Sequence, residues 1–221
     1  TDGFFLLSRK PIDKFDWSMV KGKEIIGFRQ GSNPLVFLET VLRKHGIDPQ
    51  KDVKLLNQIG IPARAGAWMA GQGEYGIFLE PEAGELVRNG KGHIVASVGH
   101  EVGQVDYTVF TSTNKYIRDN PKVIQAWTNV VARAEKYVQD TPAATLAPEI
   151  ASFFPGLEQQ GIIDAIERYK QYQIWKTTPL VTPEAMNQLQ DMLIASEVMK
   201  DAARVKYEDV AMPEFARQAK P

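Results

Sequence analysis

The sequence predicts an α/β protein, and three observations carry that prediction. Short β-rich runs alternate with helical ones between residues 22 and 98, the chain beyond residue 111 is almost wholly helical, and 43% of the 221 residues are hydrophobic against 24% charged. Strand and helix alternating at this tempo imply parallel pairing with helices on the faces of the sheet, because parallel neighbours need a crossover connection. The charge balance of 26 Lys and Arg against 27 Asp and Glu leaves a formal net charge of −1. That argues against a nucleic-acid partner, which demands a basic face. The chain contains no cysteine, so this stretch holds no Cys nucleophile, Fe–S cluster, Cys-based zinc site or lipidated cysteine. No run of roughly 18 apolar residues is present, so no helical membrane span is expected.

The elements follow in order. The opening Thr1-Asp2-Gly3-Phe4-Phe5-Leu6-Leu7 reads as a buried strand, and a chain that begins flush with a core strand reads as the remainder of a longer one. A targeting signal is neither shown nor excluded by such a start. Residues 24–28 form the next strand and lead into Arg29-Gln30-Gly31-Ser32-Asn33-Pro34, where a Ser or Asn cap precedes a proline in the first helical turn. A helix is predicted from Pro34 to about His45, since Leu35, Leu38, Val41 and Leu42 recur at helical spacing and Gly46 and Pro49 stop it. A strand at 53–56, a short helix from Pro62 through Trp68 and Met69, a strand at 75–79, a helix from Pro81 to Gly90 and a strand at 94–96 complete the alternation.

After these, Tyr107-Thr108-Val109-Phe110-Thr111 alternates as a strand. Asn120-Pro121 then opens a long helix whose Val123, Trp127, Val130, Ala134 and Tyr137 form one apolar stripe. Ile162, Ile166 and Tyr169, and later Met186, Leu189 and Leu193 after Thr182-Pro183, form similar stripes. Such one-sided helices must be covered. They form a bundle among themselves, or the sheet on which they pack lies outside this stretch, and the scarcity of strands after residue 111 favours the second account. The expected division is a complete α/β lobe over residues 12–105, with residues 1–11 and 106–221 as the mostly helical remainder of a first lobe. Two crossings between lobes make a hinge with a cleft beside it, where small ligands bind.

One literal motif is refused. Gly71-Gln72-Gly73-Glu74-Tyr75-Gly76 spells GxGxxG, but it follows a helix and enters a strand, the reverse of the dinucleotide fingerprint. His45, His93 and His100 lack metal-binding spacing and read as surface or loop residues. Trp68 and Trp127 lie on helical stripes and read as core rather than as ligand-stacking groups.

The run Gly22-Lys23-Glu24-Ile25-Ile26-Gly27 with Gly31-Ser32, then Gly71-Gln72-Gly73-Glu74-Tyr75 leading to Glu80-Pro81, then Tyr107-Thr108 and Phe153-Phe154-Pro155-Gly156, resembles the SsuA/THI5-like (NMT1) solute-binding proteins of ABC transporters. The order and spacing carry the likeness. It implies a periplasmic-binding-protein type II fold of two lobes with a hinge, the first lobe incomplete in this chain. It also implies capture of a small polar organic solute outside the cytoplasmic membrane and delivery to an ABC permease, without catalysis or a cofactor. Any membrane association is expected only through the permease or a lipid anchor outside this chain.

Six ligand-binding candidates follow. Gly31, Ser32 and Asn33 sit between a strand and a helix start, where backbone N–H groups and the helix dipole favour an anion or polar acceptor. On the residues alone an ordinary helix cap outweighs that role, and the resemblance reverses the balance. Glu80 ends a strand just before a helix start, at the edge where a ligand crevice lies in a doubly wound sheet. Its carboxylate suits an amino or amidine-like group, as in an aminopyrimidine or thiamine precursor, and disfavours a sulfonate. Capping of the following helix is its alternative use. Tyr107 and Thr108 fall on the return crossing and line the cleft or pack within a strand.

Two other function classes remain open. Pyrimidine synthases of the thiamine pathway share the fold, but they resemble one another in a cysteine-rich iron site and an active-site histidine, and this chain has no cysteine. A ligand-sensing domain of a regulator would need a fused DNA-binding or transmembrane segment.

Overall fold

A computed structural model of the protein describes residues 1–220, and these form two compact units. The sheet unit contains Asp2–Gly103 and Asp191–Lys200, and the helical unit contains Thr1, Gln104–Gln190 and residues 201–220.

The sheet unit is built on strands β1 (Phe4–Ser8), β2 (Glu24–Ile26), β3 (Lys54–Leu56), β4 (Tyr75–Leu79) and β5 (His93–Ser97), in the order β3-β2-β4-β1-β5. The expected parallel pairing holds for β2 with β3 and for β2 with β4. β1 departs from it. It runs antiparallel to β4, with Phe5 opposite Phe78 and Leu7 opposite Gly76, and antiparallel to β5 with an irregularity between Leu6 and Leu7. Residues 1–11 were expected with the later helices. The structure corrects this by placing Phe4–Ser8 inside the sheet, all five residues buried. The physical reason is legible in the run itself: Phe-Phe-Leu-Leu is apolar on both faces of a strand, which only an interior position satisfies.

Helices cover this sheet. α1 (Asn33–Lys44) carries Pro34 in its first turn and buries the predicted stripe of Leu35, Leu38, Val41 and Leu42. A single 3₁₀ turn, Ile61–Ala63, leads into α2 (Arg64–Met69), whose Trp68 is fully buried and donates its indole N–H to the Lys91 carbonyl at 2.7 Å. α3 (Glu82–Arg88) and α4 (Val98–Val102) complete the layer.

The helical unit contains α5 (Asn114–Asp119), α6 (Pro121–Asp140), α7 (Ala143–Ile150), α8 (Gln159–Gln171), the first part of α9 (Pro183–Ala195), α10 (Tyr207–Val210) and α11 (Pro213–Arg217). Its core joins Ala143, Leu146 and Ala147 to Ile162 and Ile166. Lys176 Nζ donates to Asp106 Oδ1 at 2.7 Å and to the Leu180 carbonyl. The strand expected at 107–111 does not form. Among the described residues this unit has no strand with which a ladder could be made, and the alternating segment is irregular and exposed. Trp127, expected in the core, is 50% exposed. The chain passes between the units at 1/2, 103/104, 190/191 and 200/201, twice the number of crossings expected.

Candidate functional site

Because β2, β3 and β4 are parallel, their carboxyl ends open on one edge of the sheet, and the antiparallel β1 begins there. Ligands of open α/β sheets bind beyond that edge. It receives the loop 27–32 after β2, residues 57–60 after β3, Glu80 after β4, Ser97 at the end of β5, and Asp2 before β1.

Four of the six predicted residues reach it. Gly31 adopts φ +76, a left-handed conformation that a side chain resists, and it turns the chain into α1. Ser32 occupies the cap position, yet its hydroxyl does not cap α1; it donates to the Arg29 carbonyl at 2.7 Å, as does the Ser32 amide at 3.2 Å. The turn is thus closed on itself, with Gly31 exposed and Ser32 and Asn33 half-buried. Glu80 is buried, and its Oε2 accepts the Gly84 N–H at 3.1 Å, so it serves the helix-capping use that the sequence allowed. Tyr107 and Thr108 belong to the helical unit, on exposed chain following Asp106.

Sequence reasoning missed three polar groups at this edge. Arg64, 1% exposed, donates from its two terminal nitrogens to the carbonyls of Gly27 and Ile77, and its guanidinium lies over the Phe28 ring. Its Nε has no hydrogen-bond partner. Burial draws Arg64 down to about 10, opposed by Glu82, while burial pushes the Glu82 carboxyl up. Asn57 Oδ1 is buried and unpaired, and it fills the space where a Cβ on Gly27 would stand. Asp2 is fully buried; Oδ1 accepts the Phe4 N–H at 2.9 Å, Oδ2 has no partner, and burial pushes the carboxyl up to about 7. A signal for Arg64 was present: it is the lone charge in Ile61-Pro62-Ala63-Arg64-Ala65-Gly66-Ala67-Trp68-Met69.

A cavity of about 670 Å³ opens beside the same loop, lined by Gln30, Gly31, Glu39, Arg43 and residues 195–198. Arg43 closes one side by donating to Glu39 Oε2 at 3.1 Å and to Ser196 Oγ at 2.9 Å. The refused glycine motif is a turn, as expected. Gly71 and Gly73 take positive φ, and Arg9 pins the turn through the carbonyls of Trp68, Gln72 and Gly73. Among the described residues no cluster of His, Asp and Glu has the geometry of a metal site. His45 Nε2 instead lies 3.2 Å from Glu101 Oε2 and its ring stacks on Trp17.

The family model of the NMT1-like family matches residues 18–152, more than half of the chain. The chain belongs to the NMT1-like family. It is 36% identical over 193 residues to YtlA of Bacillus subtilis (strain 168), named as a binding protein, covering 87% of this chain and 58% of YtlA. Among solved structures it is similar to the periplasmic aliphatic sulphonate binding protein SsuA from Escherichia coli, with a TM-score of 0.70 at 16% identity over 96% of this chain and 66% of that one. The desulfurization enzyme DszB matches with a TM-score of 0.58 at 14% identity over 97% of this chain and 74% of that one. These likenesses assign this NMT1-like chain to the type II periplasmic-binding-protein fold, of which it covers a part. It spans less than two thirds of the length of YtlA and of SsuA.

Proposed function

We propose that this NMT1-like chain is the larger part of an extracytoplasmic solute receptor that serves an ABC importer and passes its solute to a permease. The observation that carries this reading is the carboxyl edge of β2, β3 and β4, where Arg64 Nε, Asn57 Oδ1 and Asp2 Oδ2 are buried without partners. Buried polar atoms of that kind are costly unless something pairs with them, so a group of three at one edge calls for a polar partner there. Gly31, Ser32, Asn33 and Glu80 border the same edge, and Tyr107 and Thr108, on the exposed chain after Asp106, stand as two further proposed ligand-binding residues. The acceptors Asn57, Asp2 and Glu80 favour a solute bearing an amino group, such as an aminopyrimidine, over a sulfonate. Binding shifts an equilibrium between open and closed forms, and the closed form docks on the permease.

The test is a thermal-shift screen against aminopyrimidines, thiamine precursors, sulfonates and carboxylates, run on the chain alone and on the chain joined to the part of YtlA that it does not span. A rise in melting temperature with an amino solute supports the reading. No rise with any solute in either form overturns it. The likeness to DszB supports a second reading, catalysis on a sulfinate. Release of sulfite from biphenyl-2-sulfinate by the same protein distinguishes it, and we propose that none occurs.

A further inference from the structure

α1 buries one charged residue, Glu39, within the apolar run from Leu35 to Leu42. Glu39 is 1% exposed, and its two oxygens fare differently. Oε2 accepts from Arg43 Nη2 at 3.1 Å, one helical turn on, whereas Oε1 is buried without a partner. A carboxylate oxygen left unpaired in the interior is costly, which calls for a donor from outside. Glu39 lines the cavity of about 670 Å³, and every lining residue belongs to the sheet unit. None of Asp2, Asn57, Arg64 and Glu80 lines it, so the cavity is separate from the candidate edge and meets it at Gln30 and Gly31.

The end of α9 forms another wall. The Glu197 N–H donates to the Ile194 carbonyl at 2.9 Å and the Val198 N–H to the Leu193 carbonyl at 2.8 Å, the helix ending in which glycine is usual. Glu197 takes φ +57 there, a conformation that a side chain resists, and it brings a second carboxylate to the cavity. Against the two carboxylates stands the Arg43 guanidinium, so the lining carries one net negative charge. The volume suits a small organic molecule rather than a bare ion. Ala195 and Val198 are the apolar side chains of the lining, while Gln30, Gln50 and Ser196 offer amides and a hydroxyl, which fits a ligand polar over most of its surface. Gly31 stands just before the positive N-terminal end of α1, and Glu39 lies roughly 9 Å along that helix. The cationic end of a ligand therefore belongs at Glu39 and its oxygen-rich end toward Gly31. Arg43 has room to yield, because its side chain is 34% exposed against 2% for Glu39. Its Nη1 holds Ser196 Oγ at 2.9 Å, and release of that bond opens the way to Glu39 Oε1.

We propose that the cavity walled by Glu39, Arg43 and Glu197 binds an ammonium-bearing, hydroxyl-rich small molecule of the amino-sugar class, with Arg43 leaving Ser196 as the ammonium takes Glu39 Oε1. This does not rest on the receptor reading. The experiment is titration calorimetry of the chain with glucosamine, galactosamine and mannosamine, with glucose as the uncharged control. The expected result is one-to-one binding of at least one amino sugar, at least tenfold tighter than glucose. Glu39→Gln weakens that binding at least tenfold. Glu197→Gly weakens it about threefold, yet raises the melting temperature by roughly 2–4 °C because glycine relaxes the turn. No binding by any of the three amino sugars overturns the proposal, as does equal affinity for glucose. If Glu39→Gln does not fold, Glu197→Gly decides, and unchanged affinity there overturns the proposal. Binding that survives Glu39→Gln and is lost with Asn57→Ala also overturns it, by placing the amine at the carboxyl edge, an outcome that sustains the receptor reading.

Discussion

The Arg64 guanidinium lies 3.7 Å from the centre of the Phe28 ring while its terminal nitrogens bond the carbonyls of Gly27 and Ile77. One side chain therefore joins the loop after β2 to the strand β4 and supports an aromatic residue at the candidate edge. Arg64→Met leaves both carbonyls without that donor and is expected to destabilise the sheet unit by about 3 kcal/mol. Arg64→Lys supplies one point donor rather than a fork and is expected to recover less than half of that. Urea unfolding checks both; a loss under 1 kcal/mol for Arg64→Met contradicts the bridging role.

Asp2 gives a pH dependence with a definite sign. Burial, opposed by the Phe4 N–H bond, holds its native pKa at about 7 against 3.8 in an exposed carboxyl. Between those values the native state binds more protons than the unfolded state, so stability falls as pH rises, with the full cost reached above pH 7. The cost is at most about 4 kcal/mol. Asp2→Asn keeps an acceptor for Phe4 and removes the titration. The variant is expected to gain on the parent between pH 5 and pH 8 in urea midpoint; parallel curves count against the shift.

Glu80 is separable into a structural and a binding role. Glu80→Ala removes the acceptor for the Gly84 N–H, at a cost of about 1 kcal/mol. Glu80→Gln retains an acceptor oxygen and is expected to unfold within about 0.5 kcal/mol of the parent. If Glu80 also receives an amino solute, Glu80→Gln weakens its binding at least tenfold. Equal affinity by calorimetry removes Glu80 from the site.

In the helical unit, Lys176 bonds Asp106, whose Oδ2 is buried without a partner, and its charge draws down a Glu135 carboxyl that burial pushes up. Lys176→Met is expected to cost about 2 kcal/mol. Adding Asp106→Asn in the same chain restores part of that loss, because the stranded charge is gone. A double variant no more stable than the single one speaks against a charge pair.

The legible parts of the fold were those with local punctuation. α1 followed from Pro34, its apolar spacing and Gly46, and β4 was read at its observed bounds because a glycine turn precedes it and a proline follows. β1 was recognised as a strand but grouped with the wrong unit, since its neighbours lie some seventy to ninety residues away and no local signal names them. At 107–111 the alternation was present and the ladder was not; a strand needs a partner as well as a pattern. The same distinction divides the site. Gly31, Ser32, Asn33 and Glu80 were visible as strand-to-helix junctions, whereas the buried, unpaired state of Arg64, Asn57 and Asp2 is a tertiary property that a residue type does not announce.

The interior position of β1 also has a consequence for how the molecule is made. Its apolar Phe4–Ser8 run is synthesised well before Tyr75–Leu79 and His93–Ser97, the strands that pair with it among the described residues. On a ribosome adding 5–20 residues per second, that run waits on the order of ten seconds with both faces uncovered. Nascent chains of this protein therefore carry a sticky apolar segment at Phe4–Ser8 through most of the synthesis of the sheet unit, and a chaperone that holds extended apolar peptides would find its target there.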